Sequence, residues 1–306
     1  MLSRDTPYTL AAGFAAWLFF AAARLLPLDA ASAIGGFLAR SIGPLLPVTE
    51  RAKRQLRLAM PELSQSEITR IARAMWDNLG RIAAEYPHLH EIRCYEGNRV
   101  EVVGAEHIDA LRDDGKGGIF FSGHLGNWEI ASLAATQRGV PLTQVYRAPN
   151  NPIVDRLVFT IRERAITGRR FPKGAEGARH LVRHLAQGEH LAMLVDQKLN
   201  EGIPVPFFGR DAMTMTSLAV FALKYDVPVV PARVERLKGA RFRITALPPM
   251  ALPHTGERDA DIAETMRRVN ALIESWVREK PEQWLWLHQR WPQETRRKGA
   301  PRPAPR

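Results

Sequence analysis

The chain has 306 residues, 45% hydrophobic and 25% charged, which supports a buried core and excludes a disordered protein. Lysine and arginine outnumber aspartate and glutamate 43 to 32, a net charge of +11, and the single cysteine, Cys94, excludes an intrachain disulfide framework or a multi-cysteine metal site. The C-terminal PQETRRKGAPRPAPR holds five of the positive charges, so the body keeps about +7; that suits an acidic partner, and equally suits a biased genome composition.

In chain order, the first feature is LAAGFAAWLFFAAARLL, residues 10–26, with one charge at Arg24. As a helix it would reach about 25 Å, slightly short of a bilayer core near 30 Å. A second apolar stretch, AASAIGGFLARSIGPLLPV, is broken by glycine, arginine and proline. A cleaved signal peptide, a single membrane anchor and an in-plane amphipathic hairpin are the three readings. Arg40, Arg51, Lys53, Arg54 and Arg57 follow the first stretch, and positive residues favour the cytoplasmic side. The expectation is a membrane anchor over residues 1–48, spanning or in-plane, with the body cytoplasmic.

SQSEITRIARAMWDNLGRIAAEY predicts a helix, opened by a capping box at Ser64 and Glu67 and carrying apolar residues at helical spacing. From residue 99, short apolar runs alternate with helical segments. RVEVVG, GGIFFSG, LTQVYR, HLAMLVD, VPVVPARVERL and RFRITAL predict strands; GNWEIASLAATQRG, NPIVDRLVFTIRERA, EGARHLVRHLAQG, TSLAVFALKYD and a segment near 259–279 predict helices. This alternation predicts an α/β domain over 49–292, with a mixed, largely parallel sheet flanked by helices. Residues 293–306 form a basic, low-complexity tail expected to be disordered.

FFSGHLGNWEI, residues 120–130, is not explained by packing alone. His124 falls at the carboxyl end of a strand, where α/β sheets bind ligands, and Glu129 falls in the first turn of the next helix. A carboxylate on one imidazole nitrogen would fix the tautomer and make the other nitrogen a general base, with no serine or cysteine nucleophile. Backbone N–H groups of Gly126 and Asn127 could stabilise an oxyanion. The bland alternative is that His124 and Glu129 merely cap the helix and satisfy one another. A metal is not indicated: His180 and His184 stand four apart with no third ligand. KGAEGAR lacks Walker spacing and predicts a turn. Trp276, Trp284, Trp286 and Trp291 suit either a lipid interface or ordinary packing.

HLGNWE resembles the H-x4-D/E signature of the glycerolipid acyltransferases, and more closely the branch that adds the late, secondary lauroyl or myristoyl chains to bacterial lipid A. VYRAPNNPIVDRLVFTIRER, GARHLVRHLAQGEHLAMLVDQK, VPFFGRDAMTMTSLAVFALKYDVPVVP and PEQWLWLHQRW resemble that family's later blocks in order, over most of residues 50–292. The resemblance implies that His124 is the base and Glu129 its orienting partner, and that Arg162 and Asp196 match required positions. Arg147 and Asn151 match a motif without a clear role. It further implies an acyl carrier protein donor, a phosphorylated, multi-acylated lipid A precursor as acceptor, membrane lipids as surroundings, no cofactor, and the bacterial inner membrane as location. No FPEGT phosphate-binding block is present, which speaks against a glycerol-phosphate acceptor. The rivals are another acceptor, such as a mannosylated phosphoinositide or an amino-acid lipid, and a non-catalytic lipid or carrier-protein binding module. A nucleic-acid role is weakest, because the aromatics fall in apolar stretches and not among the basic ones.

Overall fold

Four helices precede the first strand. The computed structural model describes residues 6–146, 149, 151–172 and 175–291. Within it α1 runs Pro7–Leu25 and α2 Leu28–Ile42. Leu26, before Pro27, is extended, the conformation proline imposes on its predecessor, and α1 stops there. Next come α3, Val48–Ala59, and α4, Gln65–Glu85. The capping box read from the sequence opens α4: Ser64 Oγ accepts from Glu67 N, and the Glu67 carboxylate accepts from Ser64 N at 2.8 Å.

The α2 and α4 backbones touch through glycines. A Cβ on Gly80 would stand 2.2 Å from the carbonyl oxygen of Gly35, so neither position has room for a side chain. α1 lies against the body as well, with Gly13 over Ile153 and Phe20 stacked on Tyr86. Among the described residues no single helix is long and apolar enough to cross a membrane; the stretches 28–45 and 48–59 pass only as a pair bent by 87°. The spanning form of the expected anchor therefore has no single helix to form it.

From Val100 strands and helices alternate: β1 Val100–Val103, α5 Ala105–Asp113, β2 Gly118–Ser122, α6 Glu129–Gln137, β3 Leu142–Tyr146, α7 Pro152–Ala165, β4 Gly168–Pro172, α8 Ala175–Ala186 and β5 His190–Leu194. There follow β6 Lys198–Phe207, β7 Arg210–Thr214, α9 Ser217–Tyr225, β8 Val229–Lys238, β9 Arg241–Ala246 and α10 Arg258–Glu279. Seven strands form one sheet in the order β1-β9-β8-β2-β5-β3-β4, parallel at every pairing except β8–β9. This is the mixed, largely parallel sheet the sequence predicts. β2 is central and buried at every residue, as a strand covered on both faces must be.

β6 and β7 form a separate hairpin, which sequence patterning missed because Gly202, Pro204 and Pro206 make β6 read as a loop. β4, the edge strand GRRFP, was hidden by its two arginines and its proline. Trp276, Trp284, Trp286 and Trp291 are all buried in the main core, which corrects the lipid-interface reading of them. Trp284 and Trp286 meet edge to face with centroids 4.5 Å apart. The exposed tryptophan is Trp17 on α1. Arg147 and the tail from residue 292 lie outside the described residues.

Candidate functional site

β2 and β5 are parallel neighbours in a register that pairs Ser122 with Leu194. His124 and Asp196 each sit two residues beyond those partners, so the sheet itself brings them together at its carboxyl edge. Asp196 Oδ1 lies 2.7 Å from His124 Nδ1, and Oδ2 accepts from His124 N and from Trp284 Nε1, both at 2.7 Å. Burial by itself would raise the Asp196 carboxyl; the His124 charge and these three donors outweigh it and hold Asp196 well below the usual carboxylate range. The carboxylate takes Nδ1–H, which leaves Nε2 as the basic nitrogen; the Gln197 Nε2 amide reaches it at 3.1 Å. The segment after α10 holds the loop from its other side. Leu285 N donates to His124 O at 3.2 Å, and Gly126 N donates to Gln283 O at 3.1 Å.

Glu129, expected to orient His124, does not bond to it. Its carboxylate is bound by Arg162 through Nε, at 3.0 Å, and Nη2, by the Tyr86 hydroxyl at 2.6 Å, and by Trp128 Nε1 at 3.0 Å. Burial would raise this carboxyl too, but the Arg162 guanidinium prevails and lowers it. The physical reason for the correction is the turn between the two residues, which sends Glu129 into the first helical turn facing α7 while β5 supplies the closer carboxylate. Glu129 still reaches the histidine indirectly: Trp128, anchored by it, packs edge to face on the His124 ring with centroids 5.1 Å apart.

Of the two backbone N–H groups expected as oxyanion donors, that of Gly126 needs correcting. Gly126 N–H is taken by Gln283, and Gly126 has φ +55° with Val234 O 2.9 Å from where a Cβ would stand, so glycine is needed there for the turn. The Asn127 side chain donates to Glu85 Oε2 at 2.9 Å and accepts from Glu129 N at 3.3 Å. Glu85 is fully buried and is shared with Arg236 and with Ser32 of α2, while Arg236 Nε donates to Asn78 at 2.8 Å. Asn127 thus ties the histidine loop to this buried network and through it to the N-terminal helices. Asn151 caps α7, accepting from Ile153 N at 2.9 Å, and donates to Thr9 O of α1 at 2.8 Å.

His124 faces a cavity of about 660 Å³, within the usual range of small-molecule sites. Phe120, Leu142, Leu181, Ala192 and Phe221 give it apolar walls, and Gln144 on its lining is satisfied by Ser132 at 2.7 Å. Arg162, Gln197 and Lys198 also line it. Sequence reasoning missed Tyr86, Trp128, Gln197, Lys198 and Trp284 as site residues, although all but Tyr86 lie in blocks already singled out: Trp128 in HLGNWE, Gln197 and Lys198 beside Asp196, and Trp284 in PEQWLWLHQRW. Cys94 is buried with its thiol pushed up to about 12 by desolvation, so it is not a ready nucleophile. His180 and His184 stack on Phe171, and no group of three metal-ligating residues occurs among the described residues.

The sequence model of the bacterial lipid A biosynthesis acyltransferases matches residues 3–293. The chain is 28% identical to a lipid A biosynthesis lauroyltransferase of Escherichia coli over 81% of its length and 79% of the relative's. It is 27% identical to a lipid A biosynthesis myristoyltransferase of the same species, over 78% and 73%. A lipid A biosynthesis acyltransferase of Haemophilus influenzae is 27% identical over 62% of this chain, a match that spans 58% of that relative.

Proposed function

Since the chain belongs to the bacterial lipid A biosynthesis acyltransferase family, we propose that it transfers a fatty acyl chain from acyl carrier protein to a hydroxyl of a lipid A precursor. The observation that carries this reading is the Asp196–His124 pair, whose basic Nε2 faces an apolar cavity of acyl-chain character.

The acyl chain of the donor occupies the apolar cavity with its thioester carbonyl beside His124. The acceptor hydroxyl displaces Gln197 from His124 Nε2 and attacks that carbonyl, and the imidazole takes its proton. Asp196 stays ionised and stabilises the imidazolium. Collapse of the tetrahedral intermediate breaks the C–S bond, and the imidazolium returns the proton to the leaving thiolate. No covalent acyl-enzyme is needed, because a thioester is already activated. Arg162 is neutralised by Glu129, so Lys198, whose side chain makes no hydrogen bond or ion pair with a described residue, is the cation left to favour the oxyanion. The positive body matches an acidic carrier protein.

Membrane seating is argued from exposure. Eleven of the thirteen large exposed apolar side chains among the described residues lie between Leu10 and Leu46. Leu10, Phe14, Trp17 and Leu18 share one face of α1, and Ile34, Phe37, Leu38 and Ile42 one face of α2. An in-plane hairpin sunk into the cytoplasmic leaflet accounts for both faces without a spanning helix.

Acyl transfer by the detergent-solubilised protein, from carrier-protein donors of graded chain length to a lipid A precursor, tests this reading. Turnover with a preferred donor is expected, with a loss of about 100- to 10,000-fold in His124→Ala. Full activity in that variant would remove the mechanism, and no turnover with any donor would remove the reaction.

A further inference from the structure

A second cleft, of about 330 Å³, lies where the start of α3 meets the chain's closing segment, lined by Pro47, Val48, Arg51, Arg54, Gln55 and Gln289. Arg51 and Arg54 stand three residues apart, on one face of α3. Neither guanidinium makes a hydrogen bond or ion pair with a described residue. Several other arginines of the surface, though not all, are matched to carboxylates, among them Arg99 to Asp29, Arg138 to Asp109 and Arg267 to Glu264. The acidic residue on the same turn, Glu50, is bonded to Lys53 at 2.8 Å, although it also feels Arg57 and Arg54. Two guanidinium groups thus line a concavity to which the described residues supply no carboxylate.

The cleft wall is built, not a loose surface. Gln55 is buried and fastens α3 to the closing segment twice, donating to Trp291 O at 3.2 Å and accepting from Trp291 N at 3.0 Å. Gln289 brings a side-chain amide to the cleft. Its neighbour His288 lines the catalytic cavity, with its ring 6.4 Å from that of His124. On the other side Leu45 and Leu46, 80% and 41% exposed, immediately precede Pro47 and belong to the apolar surface assigned to the membrane. The cleft therefore lies between a lipid-facing shoulder and the base.

We propose that this cleft is a phosphate subsite for the acceptor glycolipid, with Arg51 and Arg54 as the groups that bind the phosphate. Guanidinium suits a phosphate because its planar fork can bond two oxygens at once, and it stays charged at every relevant pH. A phosphate held there would anchor the acceptor's sugar while the hydroxyl to be acylated reaches His124. The identity of the acceptor rests on the acyltransferase reading; the preference for a phosphate rests on the cleft. A bulk anionic phospholipid offers the same chemistry, but consecutive residues, His288 and Gln289, connect this cleft to the reacting centre and favour the acceptor.

The test uses the full-length protein in neutral detergent micelles, with a lipid A precursor and the same lipid after phosphatase treatment. Wild type should prefer the phosphorylated acceptor by roughly 10- to 100-fold in kcat/KM, mainly through KM. In Arg51→Gln/Arg54→Gln that preference should fall below about threefold, and Arg51→Lys/Arg54→Lys should recover part of it. Equilibrium binding of the two lipids is measured in parallel in a His124→Ala background and should show the same pattern. That arm stays readable if the wild type transfers no acyl chain, which would remove the acyltransferase reading and leave the subsite standing. A preference undiminished in the glutamine variant, or a wild type indifferent to the phosphate, overturns the proposal. So does a variant that keeps its acceptor preference but loses binding to anionic, and not zwitterionic, phospholipid vesicles, since the cleft would then serve the bilayer.

Discussion

Asp196 is the residue on which the site turns. Its carboxylate holds the His124 ring, receives the His124 backbone and accepts from Trp284, so its loss would free a loop as well as a ring nitrogen. Asp196→Asn should lower kcat by about 100- to 10,000-fold, as expected when a base loses its orientation. The same variant has a pH signature in stability. The folded-state carboxyl is held below its ordinary value, so ionised Asp196 contributes stability that is fully present above the unfolded value near pH 4. That contribution drains as the pH falls through the lowered folded value. Chemical denaturation should therefore show the largest gap between wild type and Asp196→Asn at neutral pH, narrowing below about pH 4; a gap that widens on acidification would contradict the assignment. Glu129 works at one remove, through Trp128, and its partners Arg162 and Tyr86 complete a buried cluster whose ionised members are matched.

Among the elements, the contact of α2 with α4 matters most for seating the site. Gly35 and Gly80 let the two backbones touch, and Ser32 then reaches the buried Glu85, which also holds Arg236 and Asn127. A side chain at residue 80 would meet backbone, which cannot swing aside, so the helices would have to part. Gly80→Val should destabilise the fold by about 1–3 kcal/mol in urea denaturation. It should also reduce transfer activity, because Asn127 is fastened to the same network. A variant as stable as wild type would mean that α2 is not clamped to α4. The β2–β5 register acts at this scale too, since a slip of one residue would carry His124 and Asp196 to opposite faces.

For the whole molecule, the distribution of exposed apolar side chains divides it into an apolar N-terminal shoulder, the surface proposed to meet lipid, and a body with a sheet edge beside it. Trp17 is 48% exposed on that shoulder, whereas Trp276, Trp284, Trp286 and Trp291 are buried. Brominated phospholipid vesicles should quench the wild-type tryptophan emission, and Trp17→Phe should lose most of that quenching. Phe14→Glu/Phe37→Glu should shift the protein from the vesicle pellet to the supernatant by about tenfold or more with little change in thermal midpoint. Unaltered vesicle binding in that double variant would remove the in-plane seating.

Local pattern determined much of this protein. The continuous apolar runs became parallel strands, the Ser64–Glu67 capping box opened α4, and the histidine stretch fell at the carboxyl end of β2, because alternation, capping and strand ends are written in neighbouring residues. β4 and the β6–β7 hairpin stayed hidden because arginine, glycine and proline mask strands whose partners lie far along the chain. The partner of His124 was likewise decided only by the tertiary structure. Glu129 was five residues away and chemically suitable, yet parallel pairing of β2 with β5 delivers Asp196 from 72 residues further on. The fate of the tryptophans followed the same rule: an aromatic reads alike at a membrane or in a core, and only packing against Phe207 and its neighbours placed Trp284 and Trp291 inside. Sequence sets what a segment can form; which distant segment meets it depends on sheet register and helix contact, and neither is contained in any local window.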